Sequence, residues 1–238
     1  ANSISEHYLP LGLTSPIPKK PFSYSISIVD KIDSLVGFFL INEKPTSSKD
    51  PFALRRSAIG LLRIIIENKL SIRLRDLITY AISLYAEQGV EIKNENTEVE
   101  VLEFLRERMR NILKLKNIKI DIIEASISSH RGDNFLDLYK KNILMNKYIN
   151  KDVGINAISS YKRASNITDK AEKEITGRPD AVLFRTDEEK ILFDKINEIR
   201  KAFTLKENNK DYENLLIRLS ETKQFTDNFF DNVVVNDE

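Results

Sequence analysis

The side chains best suited to chemistry in this chain are cations and one aromatic ring that recur at helical spacing. One group repeats at every fourth residue and would form a cationic line along a helix: Arg106, Arg110 and Lys114. A second group combines a ring, two cations and an amide: Tyr161, Lys162, Arg163 and Asn166. Cations bind phosphates and flat side chains stack on unpaired bases, so both groups predict contact with RNA.

Each of these groups also has a structural interpretation. The line from Arg106 to Lys114 has Glu103 and Glu107 beside it, so its cations could be held in ion pairs within one helix. Lys162 and Asn166 are four residues apart and share a helix face, which suits reading a base edge together with its phosphate. Tyr161 would instead pack in the core if that face is turned inward.

The sequence contains no recognisable catalytic constellation. It has two histidines, His7 and His130, no cysteine and no H-E-x-x-H spacing. Asp30 is the single residue that matches part of an HD-type metal site, and a helix-surface carboxylate beside Lys31 is the simpler interpretation. His130 precedes Arg131 and Gly132, so a helix-end cap is favoured over a phosphate contact.

Composition indicates an all-α protein with several helices. The 238 residues include 41% hydrophobic and 31% charged residues, with only seven Gly and seven Pro. Neither a signal peptide nor an apolar run long enough to cross a membrane is evident, and cysteine is absent, which together favour a cytoplasmic protein. The formal net charge is +1, but basic and acidic blocks alternate along the chain. Such blocks are ordinary solvated helix faces or local patches for a polyanion.

Hydrophobic periodicity predicts ten helices after an irregular, proline-punctuated start over residues 1–22. The expected helices span about 25–41, 50–68, 74–87, 97–116, 121–128, 134–147, 153–165, 187–203, 210–219 and 223–232. Asp50 and Pro51 are expected to begin the second of these helices. Thr186 or Asp187 is expected to cap the eighth, with a Glu at the third helical position. A loop is predicted over 170–184.

The most specific stretch of the sequence is DKIDSLVGFFL followed by PTSSKDPFALRR and IGLLRIII, at Asp30–Ile66. This stretch resembles the β subunit of bacterial heterotetrameric glycyl-tRNA synthetase. EHYLP, VLEFLRERMRNIL with IDIIEASIS, SSYKRASNI, TDEEKILFDKI and FTDNFFDNVVVNDE resemble further blocks of that family in the same order. Ser47 stands where the family usually has Gly, and Val29 where it usually has Ala. The family chain continues on both sides of these blocks, so the resemblance predicts a C-terminal piece of a longer subunit.

The resemblance implies a fold and a role. Residues 1–92 would be the end of an HD-like region with its helical continuation, and residues 93–238 would be a DALR-type helical anticodon-binding domain. The chain would bind tRNA(Gly), while the α subunit of an α2β2 heterotetramer carries out ATP- and Mg²⁺-dependent glycylation. No cofactor is expected on this chain, and no membrane contact.

The DPFALRR block adds two more candidates for tRNA contact, Arg56 and Arg63, which are predicted to face tRNA or another part of the β subunit. Arg55 is expected to form a structural pair. Phe229 and Phe230 are expected to be core anchors, with an exposed ring as the alternative. Two other classes remain open: a helical scaffold that binds acidic proteins, and a degenerate HD phosphohydrolase piece, which the missing ligands disfavour.

Overall fold

The computed structural model of the chain describes residues 2–130, 132–168, 177, 179–204 and 211–234. These residues form ten α-helices and one 3-10 turn, and none of them forms a strand, so the all-α prediction is confirmed. The helices are α1 (Asn2–Glu6), α2 (Pro21–Leu40), α3 (Leu54–Glu67), α4 (Leu74–Glu87), α5 (Thr97–Leu115), α6 (Ile120–Ser129), α7 (Phe135–Tyr148), α8 (Asp152–Thr168), α9 (Asp187–Thr204) and α10 (Tyr212–Asn232).

Local chemistry explains most helix starts. Pro21 occupies the first turn of α2, where its missing N–H costs nothing. Asp50 accepts hydrogen bonds from the backbone N–H groups of Leu54 (2.9 Å) and Arg55 (3.0 Å), so it caps α3 as expected. Pro51 lies in the preceding turn and not in the helix, because Ala53 adopts a left-handed conformation with φ of 54°.

Two predictions about the C-terminal half have clear outcomes. Thr186 and Glu189 form a reciprocal capping box at the start of α9, which confirms the predicted cap. The prediction of separate helices at 210–219 and 223–232 is wrong, because α10 runs unbroken over this region. No Gly or Pro lies between the two stretches to end a helix. Most of the predicted loop at 170–184 lies outside the described residues, and its end contains the 3-10 turn Ala181–Leu183.

The chain divides into two compact units, residues 1–143 and 144–238. In the first unit, α2 packs against α3, α4 and α5, and α3 also packs against α5. The predicted apolar stripes of these helices are buried, including Leu35, Leu61, Leu105 and Met109. α3 is therefore contacted by two helices, α2 and α5.

At Gly60, helix α3 lies close to the Lys31 side chain of α2. A Cβ atom there would lie 2.8 Å from Cε of Lys31, so only glycine fits without displacing that side chain.

The N-terminal segment of the first unit is held by side chains of α2 and α3. Ser27 donates to the carbonyl of Leu9 (2.7 Å), and Lys31 donates to that of His7 (3.1 Å). Arg63 donates to the carbonyls of Gly12 (2.6 Å) and Ser15 (2.9 Å). The proline-rich segment has few backbone donors, so these side chains satisfy carbonyls that no regular element pairs.

In the second unit, α10 packs against both α8 and α9. Its buried apolar side chains are few among the described residues: Ile199, Leu215 and Leu216. Gly154 lets the start of α8 approach the end of α7, because a Cβ atom there would lie 2.3 Å from the carbonyl oxygen of Tyr148.

The two compact units meet after residue 143, whereas the predicted domain boundary lies between residues 92 and 93. The polar break before α5 is present, but α5 buries its stripe against α2, α3 and α4 and so belongs to the first compact unit. The assignment of the two parts to an HD-like region and an anticodon-binding domain stays a prediction. None of the helices in the described part of the chain is long and apolar enough to cross a membrane.

Candidate RNA interface

The cationic line on α5 is present, but its first two members are engaged by acidic side chains. Arg106 pairs with Glu103 and also donates to the carbonyl of Gly132 (3.3 Å). Its side chain is only 11% exposed. Arg110 donates to both carboxylate oxygens of Glu124 at 3.1 Å and lies 4.0 Å from Glu107. The structural interpretation of this line therefore applies to two of its three cations, and its contact with RNA stays a prediction.

Lys114 is the exception on α5. Its side chain is exposed, one turn beyond Arg110, and it has no ion pair within the described residues. An exposed lysine of this kind is free to follow a phosphate backbone.

The predicted cluster on α8 is split between two faces of the helix. Tyr161 is 72% exposed, which excludes the alternative that it packs in the core. Lys162 and Asn166 are exposed as well and lie one turn apart. A ring, an amine and an amide are thus presented to solvent together, as an RNA-reading face requires.

Arg163 points away from this face and binds α10. Its guanidinium donates to Asp227 (2.9 Å) and Asp231 (2.6 Å), and it lies 5.2 Å from the centroid of the Phe230 ring. Lys223 and then Arg163 hold the pKa of the Asp227 carboxyl below its ordinary value. The sequence placed Arg163 in one group with Tyr161 and Lys162, whereas the structure uses it to join two helices.

The three arginines of α3 have different environments. Arg55 pairs with Asp50 at 3.8 Å and donates to the carbonyl of Thr46, which confirms its expected structural role. Arg56 is exposed and lines a cavity of about 300 Å³ beside Pro10 and Gly12. Arg63 is 13% exposed and holds the N-terminal segment, so it contacts another part of the same chain, as one of its two predicted alternatives stated.

The remaining candidates lie on α2, directly after α6 and on α10. Asp30 is half-buried on α2, and no group of three potential ligand residues able to hold a metal ion occurs among the described residues. His130 follows α6 directly and donates its backbone N–H to Ile127, as predicted for a helix end. Phe229 and Phe230 pack edge to face at 5.0 Å and are half-buried, so they anchor α10 without being fully enclosed.

Sequence reasoning missed the buried amine of Lys31. Its side chain lies on the apolar stripe of α2, 3% exposed, and Nζ donates to the hydroxyl of Ser27 at 2.9 Å. Burial lowers the pKa of Lys31, while the nearby Asp30 raises it. The signal was available, because Lys31 is three residues after Ile28 and four before Leu35 and so falls on the same helix face.

Comparison with known proteins identifies the family. The model of the family described as "Glycyl-tRNA synthetase beta subunit" matches residues 1–128. This is more than half of the chain, and the chain therefore belongs to the glycyl-tRNA synthetase beta subunit family. The match includes the helices α2 to α5, which form most of the first compact unit.

Individual relatives match along the whole chain. It is 39% identical over 237 residues to the glycine--tRNA ligase beta subunit of Rickettsia canadensis (strain McKiel), and 38% identical to that of Rickettsia africae (strain ESF-5). The glycine--tRNA ligase beta subunit of Clostridioides difficile (strain 630) is 31% identical. Each alignment covers 100% of this chain and 34% of the relative, so the chain spans about a third of the length of these proteins.

Proposed function

We propose that this chain binds glycine-accepting tRNA at its anticodon end as part of glycyl-tRNA synthesis. The observation that carries the proposal is the alignment of the whole chain with glycine--tRNA ligase beta subunits from distant bacteria. The described residues offer no metal-ligand cluster, and the only two histidines of the chain lie in separate helix-end contexts. A binding and positioning role fits this chain better than bond-making.

Under this proposal the chemistry belongs to the α subunit of an α2β2 heterotetramer in the cytoplasm. ATP and Mg²⁺ would be used there, and this part of the β subunit would hold the tRNA in place. Binding energy spent on a remote part of a substrate contributes to positioning its reactive end, which is the general reason for such a division of labour.

The exposed face of α8 is the best surface for reading unpaired bases. Tyr161 supplies a solvent-exposed ring for stacking, and Lys162 and Asn166 supply a cation and an amide beside it. Lys114 and Arg56 are exposed cations suited to phosphates elsewhere on the chain. Other candidate arginines already have protein partners, so they would contribute to RNA binding only by exchanging them.

The competing proposal is a helical scaffold that binds a protein and no RNA. The observation in its favour is that Arg63, Arg106 and Arg163 are all engaged by groups of this chain. The two proposals differ in whether affinity should depend on the anticodon of the RNA. A protein-binding scaffold has no groups selected to distinguish one anticodon from another.

Binding of tRNA(Gly) to the 238-residue chain tests the proposal. We expect the logarithm of the affinity to fall steeply with the logarithm of the salt concentration. A tRNA with a swapped anticodon is expected to bind less tightly. Equal affinity for both RNAs would remove the anticodon-reading part, and a chain that binds neither RNA would favour the scaffold.

Substitutions on α8 locate the contact within the same experiment. Tyr161→Ala and Lys162→Ala are each expected to cost about 1–3 kcal/mol of binding if they contact a base, and less if Lys162 contacts phosphate alone. Lys201→Ala is the matched control, since it removes one exposed charge from α9 in the same compact unit. Binding that both α8 substitutions leave unchanged would discard the α8 face. Arg163→Ala is less informative because it also breaks the pairs to α10.

A further inference from the structure

An open cleft of about 400 Å³ lies where α5 meets the end of α6, and it contains two unpaired polar atoms. Its lining residues are Glu103, Arg106, Arg110, Ile127, Ser128 and His130. Nε of Arg106 and Nε2 of His130 are both buried and have no hydrogen-bond partner among the described residues. Leaving a buried polar group unpaired is unfavourable, so two such groups in the lining of one cleft favour an acceptor that both can share.

The loop after α6 brings these two side chains together. Arg106 donates from Nη2 to the carbonyl of Gly132 at 3.3 Å. The imidazole of His130 lies against the same glycine, since a Cβ atom on Gly132 would be 3.3 Å from Cε1 and 3.5 Å from Nε2. Because Gly132 has no side chain, the imidazole of His130 and the guanidinium of Arg106 can both lie against the backbone at this residue.

The chemistry of the lining favours a small oxyanion over a base or an apolar ligand. Among the described residues that line the cleft, Ile127 is the one large apolar side chain, and none is Phe, Tyr or Trp. A guanidinium offers two parallel donors that match the oxygens of a phosphate. Arg106 supplies such a group while 89% of its side chain is shielded from water, which strengthens its interactions.

Glu103 and Glu124, the acidic partners of Arg106 and Arg110, can be replaced by another anion. The side chains of Glu103 and Glu124 are 61% and 49% exposed, so their ion pairs are weak and each carboxylate loses little on returning to water. Both orphaned nitrogens are closed to solvent in this conformation. Displacing the Glu103 carboxylate, which binds Nη1 of Arg106, would free that nitrogen for an incoming anion.

From these contacts we infer that the cleft is a seat for one phosphate group of bound RNA. Arg106 and His130 donate to the phosphate oxygens, and Arg110 lies beside the phosphate as a second cation. The Glu103 carboxylate is displaced from Arg106. This inference rests on the proposed function for the source of the phosphate, while the seat itself recognises any small oxyanion of that shape.

His130 reports on occupancy of the seat. Burial first, and then Lys141 and Arg106, lower its pKa, while Asp137 and Asp133 act in the opposite direction. A phosphate beside the ring would favour the charged imidazolium and raise the pKa of His130. The chain has one other histidine, His7, which serves as an internal reference because it lies outside the cleft.

The experiment is an NMR titration of the two imidazoles in the 238-residue chain, with inorganic phosphate in one arm and tRNA(Gly) in the other. We expect both ligands to move the pH titration of His130 upward and to leave that of His7 unchanged. The affinity for each ligand is measured in parallel. Arg106→Gln should weaken phosphate binding roughly tenfold or more, since it removes a charge-assisted donor pair. Lys19→Gln, which removes one exposed charge before α2, should not weaken it.

Glu103→Gln gives a test with the opposite sign and affects only an exposed side chain. Because it removes the competing carboxylate, it should strengthen phosphate binding, which a merely structural ion pair would not do. If neither ligand moves His130, the seat is refuted, whatever the RNA affinity proves to be. If tRNA binds and only inorganic phosphate moves His130, the assignment to RNA phosphate is refuted while the proposed function stands. If tRNA does not bind at all, the proposed function fails with that assignment.

Discussion

At the scale of single residues, charge by itself says little about which cation is available. Arg106, Arg110 and Lys114 share one line on α5, yet two of them are occupied by carboxylates and only Lys114 has an open environment. Arg163 follows the exposed Lys162 in sequence but is itself engaged, because its side chain binds two aspartates of α10. Availability depends on the neighbouring helix.

The depressed pKa of His130 predicts how stability depends on pH. Its folded-state pKa lies below the unfolded value of about 6.5, so in the interval between the two the unfolded chain binds more protons. The contribution of His130 to the free energy of unfolding is therefore complete above pH 6.5 and decreases as the pH falls towards the folded-state pKa. Urea unfolding at pH 7.5, 6.5 and 5.5, in a buffer free of phosphate, measures this decrease.

His130→Gln should flatten that pH dependence, because the glutamine side chain does not titrate. His7→Gln is the control and should retain the slope of the parent chain. An unchanged slope in the His130→Gln variant would show that other groups cause the effect.

At the scale of elements, the N-terminal segment depends on side chains from two helices. Ser27 and Lys31 hold its beginning, Arg63 holds its middle, and Asn68 donates to the carbonyl of Pro18 at 3.1 Å. The prolines that punctuate the segment prevent it from joining a helix, so it is ordered only by this docking. The sequence predicted an irregular course over residues 1–22, which is wrong for α1 (Asn2–Glu6) and for the start of α2 at Pro21, and it did not predict the residues that hold the segment.

Arg63→Gln should release this segment. The substitution leaves the carbonyls of Gly12 and Ser15 without their charged donor, at a cost of about 1–3 kcal/mol in the free energy of unfolding. Hydrogen exchange should increase at residues 9–18 before it increases in α2. Arg56→Gln, on the same helix but exposed, should change stability by less than about 0.5 kcal/mol. Equal effects of the two substitutions would contradict the assigned role of Arg63.

At the scale of the whole molecule, the buried apolar side chains are concentrated in the first compact unit. All but three of those in the described residues lie before residue 144, and they include α2, α3 and α5 stripes that contact one another. The described residues of the second unit bury few apolar side chains, and its helices are joined by ion pairs such as Lys195–Glu221 and Arg218–Glu198. Exposed pairs contribute little each, so the two units differ in what stabilises them.

Residues 1–150 should therefore fold when produced without the remainder of the chain. This segment contains the whole first unit and all of α7. We expect a cooperative urea transition by circular dichroism and dispersed amide NMR signals. A gradual loss of helicity, against a cooperative transition in the full 238-residue chain, would show that the first unit requires the second.

The amino-acid sequence alone determined the helical class, the position of most helices and the inward face of each, because these follow from local periodicity. Leu61 of α3 and Met109 of α5 lie on such apolar faces and are buried. The ordered motifs also identified the family. Where the pattern lacked a breaker, as at 220–222, the expected interruption of α10 was wrong.

Only the tertiary structure decided which polar side chains are free to act. Lys31 is buried, Arg163 links α8 to α10, and His130 lines a cleft together with Arg106. Besides local partners, the side chains of Lys31, Arg106 and Arg163 bind groups that lie 24, 26 and 68 residues away along the chain. Helical periodicity describes the face on which a side chain lies, whereas its hydrogen-bond partner and its exposure are set by the element that packs against that face.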